Sequence, residues 1–403
     1  MYENRKSQVI LDIRDKNNIP VSCGTVEIEL VNHEFLFGCN AFDTLIFLET
    51  DNEEMKAFFE DRMNKWLDLF NFATLPFYWG NFEPEEGKPG TEALLNAAGF
   101  LKSRGVTMKG HPLCWHTVCA DWLLKYDNET IMDKQLRRID REVTNFKGLI
   151  DMWDVINETV IMPVFDKYDN AITRLCNAYG RINLVKAVFD EAYKNNEGAT
   201  LILNDFNTSK AYEDVIEACL DAGCKINTIG IQSHQHQGYW GREKLEDVLS
   251  RFSKFGLPIH FTENTLLSGT PVPEYIEDLN DWQVEEWPSL PEYEQIQAEQ
   301  MEEMYRILFA HPQVKAITNW DFADGAWLNA PSGIVRKDNS VKPAYEMLHR
   351  LIKEEWTTRE TLKTSEDGKL KVEGFKGEYV IKYNGREASF VLNDDTADQI
   401  ITI

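Results

Sequence analysis

The sequence predicts an α/β fold, a (β/α)8 TIM barrel. Three observations carry this. Eight short apolar runs recur along the chain. Amphipathic helical stretches separate them, with apolar residues at three- and four-residue steps. The runs end in polar residues, as expected where barrel strands deliver side chains to the carboxyl-end mouth.

The runs are FLFGCN (35–40), FNFATLP (70–76), TMKGHPLCW (107–115), DMWDVINE (151–158), TLILNDF (200–206), TIGIQSH (228–234), PIHFTE (258–263) and AITNWDF (316–322). Strands buried on both faces read as near-continuous apolar runs. Helices are expected between them, for example over 52–69, 91–105, 133–146 and 293–310. The polar ends include Asn40, His111, His116, Glu158, Asn204, Asp205, His234, Glu263 and Asp321.

The barrel is expected to occupy residues 35–356. Ahead of it, residues 7–34 alternate in strand fashion around an Asn-Asn turn, and residues 1–34 are predicted to form a β-hairpin packed on the barrel. Behind it, residues 357–403 carry turns at Lys376-Gly377 and Asn384-Gly385 and predict a small β module. The full length of 403 residues suits one large barrel with such additions.

Composition narrows the function. The net charge is −25, and no basic block offers a footprint for nucleic acid. No run of about 18 apolar residues is present to cross a membrane. Seven cysteines, an odd number without a CxxC pair, read as free thiols in a reducing compartment. The start, Met1-Tyr2-Glu3-Asn4-Arg5-Lys6, has no apolar stretch behind it. A cytoplasmic location is therefore expected, unless a leader has been removed. No pattern specifies an oligomeric state.

Two acids stand out. Glu158 and Glu263 follow the fourth and seventh predicted strands and look across one mouth. Burying a lone carboxylate is costly. Two facing one cavity suit glycoside hydrolysis, in which one protonates the leaving oxygen and the other assists at the anomeric carbon. Separation decides between retention and inversion. Asn157 is placed to bond a sugar hydroxyl, and His234 to bond Glu263 and keep it ionised. Trp115, Trp320 and Trp327 offer faces for stacking on sugar rings. The competing readings are a carbohydrate-binding barrel without turnover and a metal-dependent hydrolase built on His111, His116 and the His234/His236 pair.

The stretches GHPLCWH (110–116), WDVINE (153–158), NDFN (204–207), GIQSH (230–234), TEN (262–264), TNWDFADGAW (318–327) and KPAYE (342–346) occur in one order across roughly residues 30–350. Together they resemble glycoside hydrolase family 10, the endo-β-1,4-xylanase family of clan A. The resemblance implies a retaining β-glycoside hydrolase that needs no cofactor or metal and binds a carbohydrate. It makes Glu158 the acid/base and Glu263 the nucleophile. Asn157 would contact the sugar hydroxyl at the cleavage point, and His234 and Gln232 would support the nucleophile. His111, Trp115 and His116 would line the glycone side, with Trp320 and Trp327 as floor and wall. Asn204, Tyr78 and Trp79 complete the expected substrate-binding set. One departure is visible. The family's Glu-Asn-x-x-Lys-Trp after strand two here reads Thr74-Leu75-Pro76-Phe77-Tyr78-Trp79. Three polar groups that grip the glycone become Thr74, Leu75 and Tyr78, which implies a substrate other than plain xylan. The strand-seven loop, 266–294, is long, acidic and carries Trp282 and Trp287, so a role in specificity is expected.

Overall fold

The computed structural model describes residues 2–403. Two strands come first, β1 (Lys6–Arg14) and β2 (Thr25–His33). The next eight are β3 (Leu36–Asn40), β4 (Phe72–Pro76), β5 (Thr107–His111), β6 (Met152–Asn157), β7 (Thr200–Asp205), β8 (Thr228–His234), β9 (Ile259–Thr265) and β10 (Val314–Asn319). These eight are the predicted runs, and they close into a parallel barrel in the order β10-β3-β4-β5-β6-β7-β8-β9. The last five are β11 (Arg359–Lys363), β12 (Lys369–Phe375), β13 (Gly377–Tyr383), β14 (Arg386–Leu392) and β15 (Gln399–Thr402).

Four of the α-helices between barrel strands start at a capping side chain. Asn52 caps the helix Glu53–Leu69 by accepting from the Met55 amide. Asp127 does the same for Asn128–Phe146 through Thr130, so this helix begins five residues before the predicted 133. A side-chain oxygen there satisfies an amide that the helix itself leaves unbonded. Trp66 and Trp153 lie wholly in the core.

The terminal segments depart from expectation. β1 and β2 do not pair with each other. β1 pairs antiparallel with β12 and parallel with β15. β2 pairs antiparallel with β11 and β13, and β13 with β14. The predicted hairpin of 1–34 and the separate module of 357–403 are thus one unit of two sheets, woven from both chain ends. An isolated two-stranded hairpin is marginal in water. Here the alternating apolar residues of β1 and β2, such as Val9, Leu11, Val26 and Ile28, join the same continuous core as the barrel.

That unit sits against the amino-end of the barrel. Arg5, which is buried, donates to the carbonyls of Phe309, His311 and Val314 at 2.6–2.7 Å, just ahead of β10 and at its first residue. Trp356 stacks on Phe309 at 4.2 Å between ring centres. The additions therefore close the bottom of the barrel and leave the carboxyl-end mouth to the site.

Candidate active site

The mouth is built from strand tips. β6 ends at Asn157, and the next residue, Glu158, turns out of the strand with a φ of 58°. Left-handed backbone is disfavoured for a residue with a Cβ. It is held here by the Glu158 amide, which donates to the Asn204 carbonyl at 2.9 Å. A register shift between Asp154 and Ile156 re-aims the end of β6, as bulges do. Both Asn157 and Glu158 then reach the mouth.

The Glu158 carboxyl accepts from Trp115 Nε1 at 2.9 Å, and from Asn157 Nδ2 and Gln232 Nε2 at 3.3 Å each. Burial pushes its pKa up. The Trp115 bond opposes this, but the charges of Glu263 and Asp205 add to it, and the pKa reaches about 8. Near neutrality Glu158 holds a proton that it can donate.

Glu263 has the opposite setting. One oxygen accepts from Asn204 Nδ2 at 2.7 Å, and the other lies 3.2 Å from His234 Nε2. His111 Nδ1 stands 3.9 Å away. Burial pushes this carboxyl up, but His111, the His234 bond and Lys109 outweigh it, and its pKa lies below the usual value. Two buried carboxyls thus face one mouth, one kept protonated and the other kept ionised. Separated pKa values of this kind are what an acid/base pair needs.

Five hydrogen bonds connect the two acids, the first from Asn157 Nδ2 to Glu158. Gln232 bonds Glu158 and also donates to Asn157 Oδ1 at 3.0 Å. Asn204 donates to the same Asn157 oxygen at 2.8 Å and to Glu263. Asn157 Oδ1 therefore takes two donors, which fixes its amide with Nδ2 toward Glu158. Asn204 in turn accepts from Thr262 at 2.7 Å. Space for it comes from Gly230, where a Cβ would stand 2.4 Å from Asn204 Oδ1.

Below this layer lies a charged line that sequence reasoning missed. Lys109 and Asp154 form a fully buried ion pair at 2.6 Å. Asp154 Oδ2 also bonds His111 Nδ1 at 2.7 Å. Burial pushes Asp154 up, yet Lys109 and His111 more than offset it and keep the carboxyl ionised. His111 is thus held by Asp154 while it faces Glu263. The signal was present in TMKGH, where Lys109 and His111 lie two apart and so share a strand face. A Lys and an Asp inside apolar runs invite the question of a partner.

His111, Asp154 and Glu263 also each offer an atom within 4.8 Å of the others, the arrangement a cation could use. The Lys109 ammonium already supplies the positive charge beside Asp154. His236, the second member of the His-x-His pair, is buried. Burial, with His234 nearby, lowers its pKa to about 3. Its Nδ1 lies 3.0 Å from Thr265 Oγ1.

The aromatic residues divide. Trp320 lies over His111 and His234, with ring centres at 5.2 and 6.0 Å. Trp327 packs on His234 at 4.4 Å. Tyr78 stands against His111, Trp115 and Phe42 at 5.5, 5.7 and 6.1 Å. His116 packs on Phe165 at 4.4 Å, and its Nε2 is 4.0 Å from Glu158. Burial lowers the His116 pKa to about 4, so the ring is neutral.

Three expectations need correction, and Trp115 gains a second role. Gln232 bonds Asn157 and Glu158, not Glu263. Trp115 holds Glu158 through its indole N–H as well as facing the mouth. Asn204 is wholly buried beneath the acids and spends its amide on Asn157, Glu263 and Thr262, so it positions rather than meets a sugar. Trp79 turns away from the mouth. Its indole donates to Glu83 at 3.1 Å and lies under the Arg138 guanidinium at 5.0 Å.

The sequence profile of Glycosyl hydrolase family 10 matches residues 76–351. Among curated proteins, the anti-sigma-I factor RsgI6 of Acetivibrio thermocellus is 25% identical over 94% of this chain and 45% of its own length. An endo-1,4-beta-xylanase/feruloyl esterase of Xylanibacter ruminicola is 26% identical over 68% of this chain and 40% of its own. Endo-1,4-beta-xylanase B of Thermotoga neapolitana is 24% identical, with 70% and 80% covered. The chain spans less than half the length of the first two. Among solved structures, a family 10 endoxylanase from a sugarcane soil metagenome superposes with a TM-score of 0.67, at 22% identity, over 79% of this chain and 97% of that one. Xylanase 10B of Thermotoga petrophila, solved with xylobiose, gives 0.64 at 22% identity over 80% and 95%. These superpositions show a shared fold. The profile match covers well over half of the residues, and with it the chain belongs to glycosyl hydrolase family 10, a family of retaining glycoside hydrolases.

Proposed function

We propose that the chain hydrolyses β-linked xylose-type or related glycosides by double displacement, with Glu158 as acid/base and Glu263 as nucleophile. The observation that carries this is the placement of two buried carboxyls at one mouth, joined through Asn157, Gln232 and Asn204, in settings that raise one pKa and lower the other. Protonated Glu158 gives its proton to the leaving oxygen as Glu263 attacks the anomeric carbon and forms a glycosyl ester. Glu158, now ionised, then takes a proton from water, which cleaves the ester. Two inversions give net retention. Asn157 Nδ2 faces Glu158 and is placed for the sugar hydroxyl next to the reacting carbon. Trp320 and Trp327 provide apolar faces for the ring.

The glycone side favours a substrate other than plain xylan. Thr74 and Leu75 are fully buried in β4 and offer nothing to a sugar. Tyr78 fills space between His111, Trp115 and Phe42 with an aromatic ring. Sites that bind sugar hydroxyls lose much affinity when polar partners are missing. Ordinary endo-xylanase activity is the second reading, and the xylanase relatives favour it. The retained acids and their complete set of partners argue against a barrel that only binds.

The pH dependence tests the assignment. Glu263 must be ionised and Glu158 protonated in the free enzyme. As pH rises through about 8, Glu158 loses its proton and kcat/KM falls. As pH drops, the rate holds until below the usual carboxylate range, because Glu263 is lowered. The check is kcat/KM against pH on phenyl β-xyloside, whose poor leaving group needs the proton. A basic limb near the ordinary carboxylate value would refute the assignment of the acid.

A further inference from the structure

The loops after the fourth and seventh strands meet through ion pairs. Lys167, in the loop that follows Glu158, places its ammonium 2.6 Å from Asp278 and 2.8 Å from Asp281 in the strand-seven loop. The strand-seven loop does not hang free on the way there. Gln237, after strand six, donates to the carbonyls of Pro273 and Ile276 at 3.2 and 2.7 Å. Val272 donates its amide to the His236 carbonyl at 2.8 Å. At the far root, Trp287 is buried and donates to the Thr270 carbonyl at 2.9 Å. It joins Leu267, Val272 and Ala330 in an apolar cluster separate from the main core.

From these contacts we infer that residues 273–285 form a strap over the leaving-group side of the site, which restricts the enzyme to β-glycosides with compact leaving groups. This rests on the functional reading above. Glu158 gives its proton to the leaving oxygen, so the leaving group lies beside Glu158 and the loop that follows it. That loop carries Lys167. A bridge from Lys167 to the opposite wall limits how far a chain can run past the cleavage point. The catalytic carboxyls fit this enclosure, since their side chains are only 15% and 5% exposed for Glu158 and Glu263. A long polysaccharide threaded through an open groove needs both ends free. A sugar or aryl unit leaving as one small piece does not.

The clamp is adjustable by design of its parts. Lys167 and both aspartates are partly exposed, and exposed ion pairs are weakened by salt. The roots at Val272 and Trp287 are apolar and are not. Ionic strength should loosen the crossing without releasing the loop.

The experiment compares three proteins on two substrates: the wild type, Lys167→Ala, and a variant with residues 273–285 replaced by a short Gly-Ser linker that keeps Val272 and Trp287. The substrates are nitrophenyl β-xyloside and xylo-oligosaccharides of increasing length labelled at the reducing end. The wild type should release labelled fragments of one or two units, with kcat/KM that stops rising as units are added on the labelled side. Lys167→Ala, and more so the linker variant, should release longer labelled fragments. The linker variant should gain about tenfold in kcat/KM on the longest oligosaccharide, with the nitrophenyl substrate changed less than about twofold. Long labelled fragments from the wild type, or no gain in the linker variant while the nitrophenyl substrate still turns over, would overturn the strap alone. Failure of all three proteins on the nitrophenyl substrate would overturn the functional reading and the strap with it.

Discussion

Glu263→Ala is expected to lose turnover by about 10⁵-fold on every β-glycoside, activated or not, because the covalent route needs its carboxylate. Leaving-group quality cannot compensate, since no other buried anion faces the anomeric carbon from that position. Asp154 is ionised but committed to Lys109 and His111. The cavity left by the deletion is lined by His234 and Asn204, both donors that held the lost oxygens. A small anion can enter there. Added azide should restore nitrophenyl glycoside cleavage and yield the glycosyl azide of inverted configuration, after one displacement in place of two. Glu263→Gln keeps the side chain's shape and should be equally inactive, which separates chemistry from packing. A loss on activated substrates much smaller than on unactivated ones, or an azide product of retained configuration, would show that Glu263 is not the nucleophile.

Glu158→Ala should behave differently. A dinitrophenolate leaves without a proton, so kcat/KM on such a substrate, which reports the first displacement, should fall little. On phenyl β-xyloside or an unactivated disaccharide the loss should be about 10²–10⁴-fold, the usual contribution of general acid catalysis. The second step still needs a base to activate water. The activated substrate should therefore show a fall in kcat and an initial burst of dinitrophenolate. Azide needs no base, and it should relieve that block and give a product of retained configuration. The alanine also removes the group with a pKa near 8, so the basic limb of the pH profile should vanish. Equal losses on both substrates, or a basic limb that persists, would contradict the acid/base role.

The barrel and its two acids were legible in the sequence because burial constrains them. Strands covered on both faces must be apolar throughout, and charges at their ends then stand out. Glu158 and Glu263 were visible for that reason. Pairing between distant segments leaves no such mark. β1 and β2 carry the alternation of a hairpin, but their partners lie more than 300 residues away, and nothing local distinguishes the two cases. The roles within the site were only partly legible. Alternation predicts which face a side chain takes, but the shifts in register at Asp154/Ile156 and Ile231/Gln232 break the count near the tips. Gln232 was assigned to the wrong acid, and Asn204 to the sugar instead of the layer beneath, because a motif match carries a position and not the contacts its side chain makes. Trp79 was read from its place in a motif, while its side-chain direction depends on Glu83 and Arg138. The Lys167 bridge joins two loops whose charges look like ordinary surface residues until folding brings them together.

The central claim is that Glu263 forms a covalent bond to the sugar with Glu158 beside it. A β-xyloside with fluorine in place of the hydroxyl next to the anomeric carbon, and a dinitrophenolate leaving group, tests it most directly. Fluorine destabilises the positively charged transition state of both steps, while the good leaving group rescues only the first. Mass spectrometry of the treated protein and its peptides should show one fluoroxylosyl group, attached at Glu263 in HFTEN (260–264). A group found on another residue, or dinitrophenolate released repeatedly without any labelled protein and with an inverted sugar, would contradict the account.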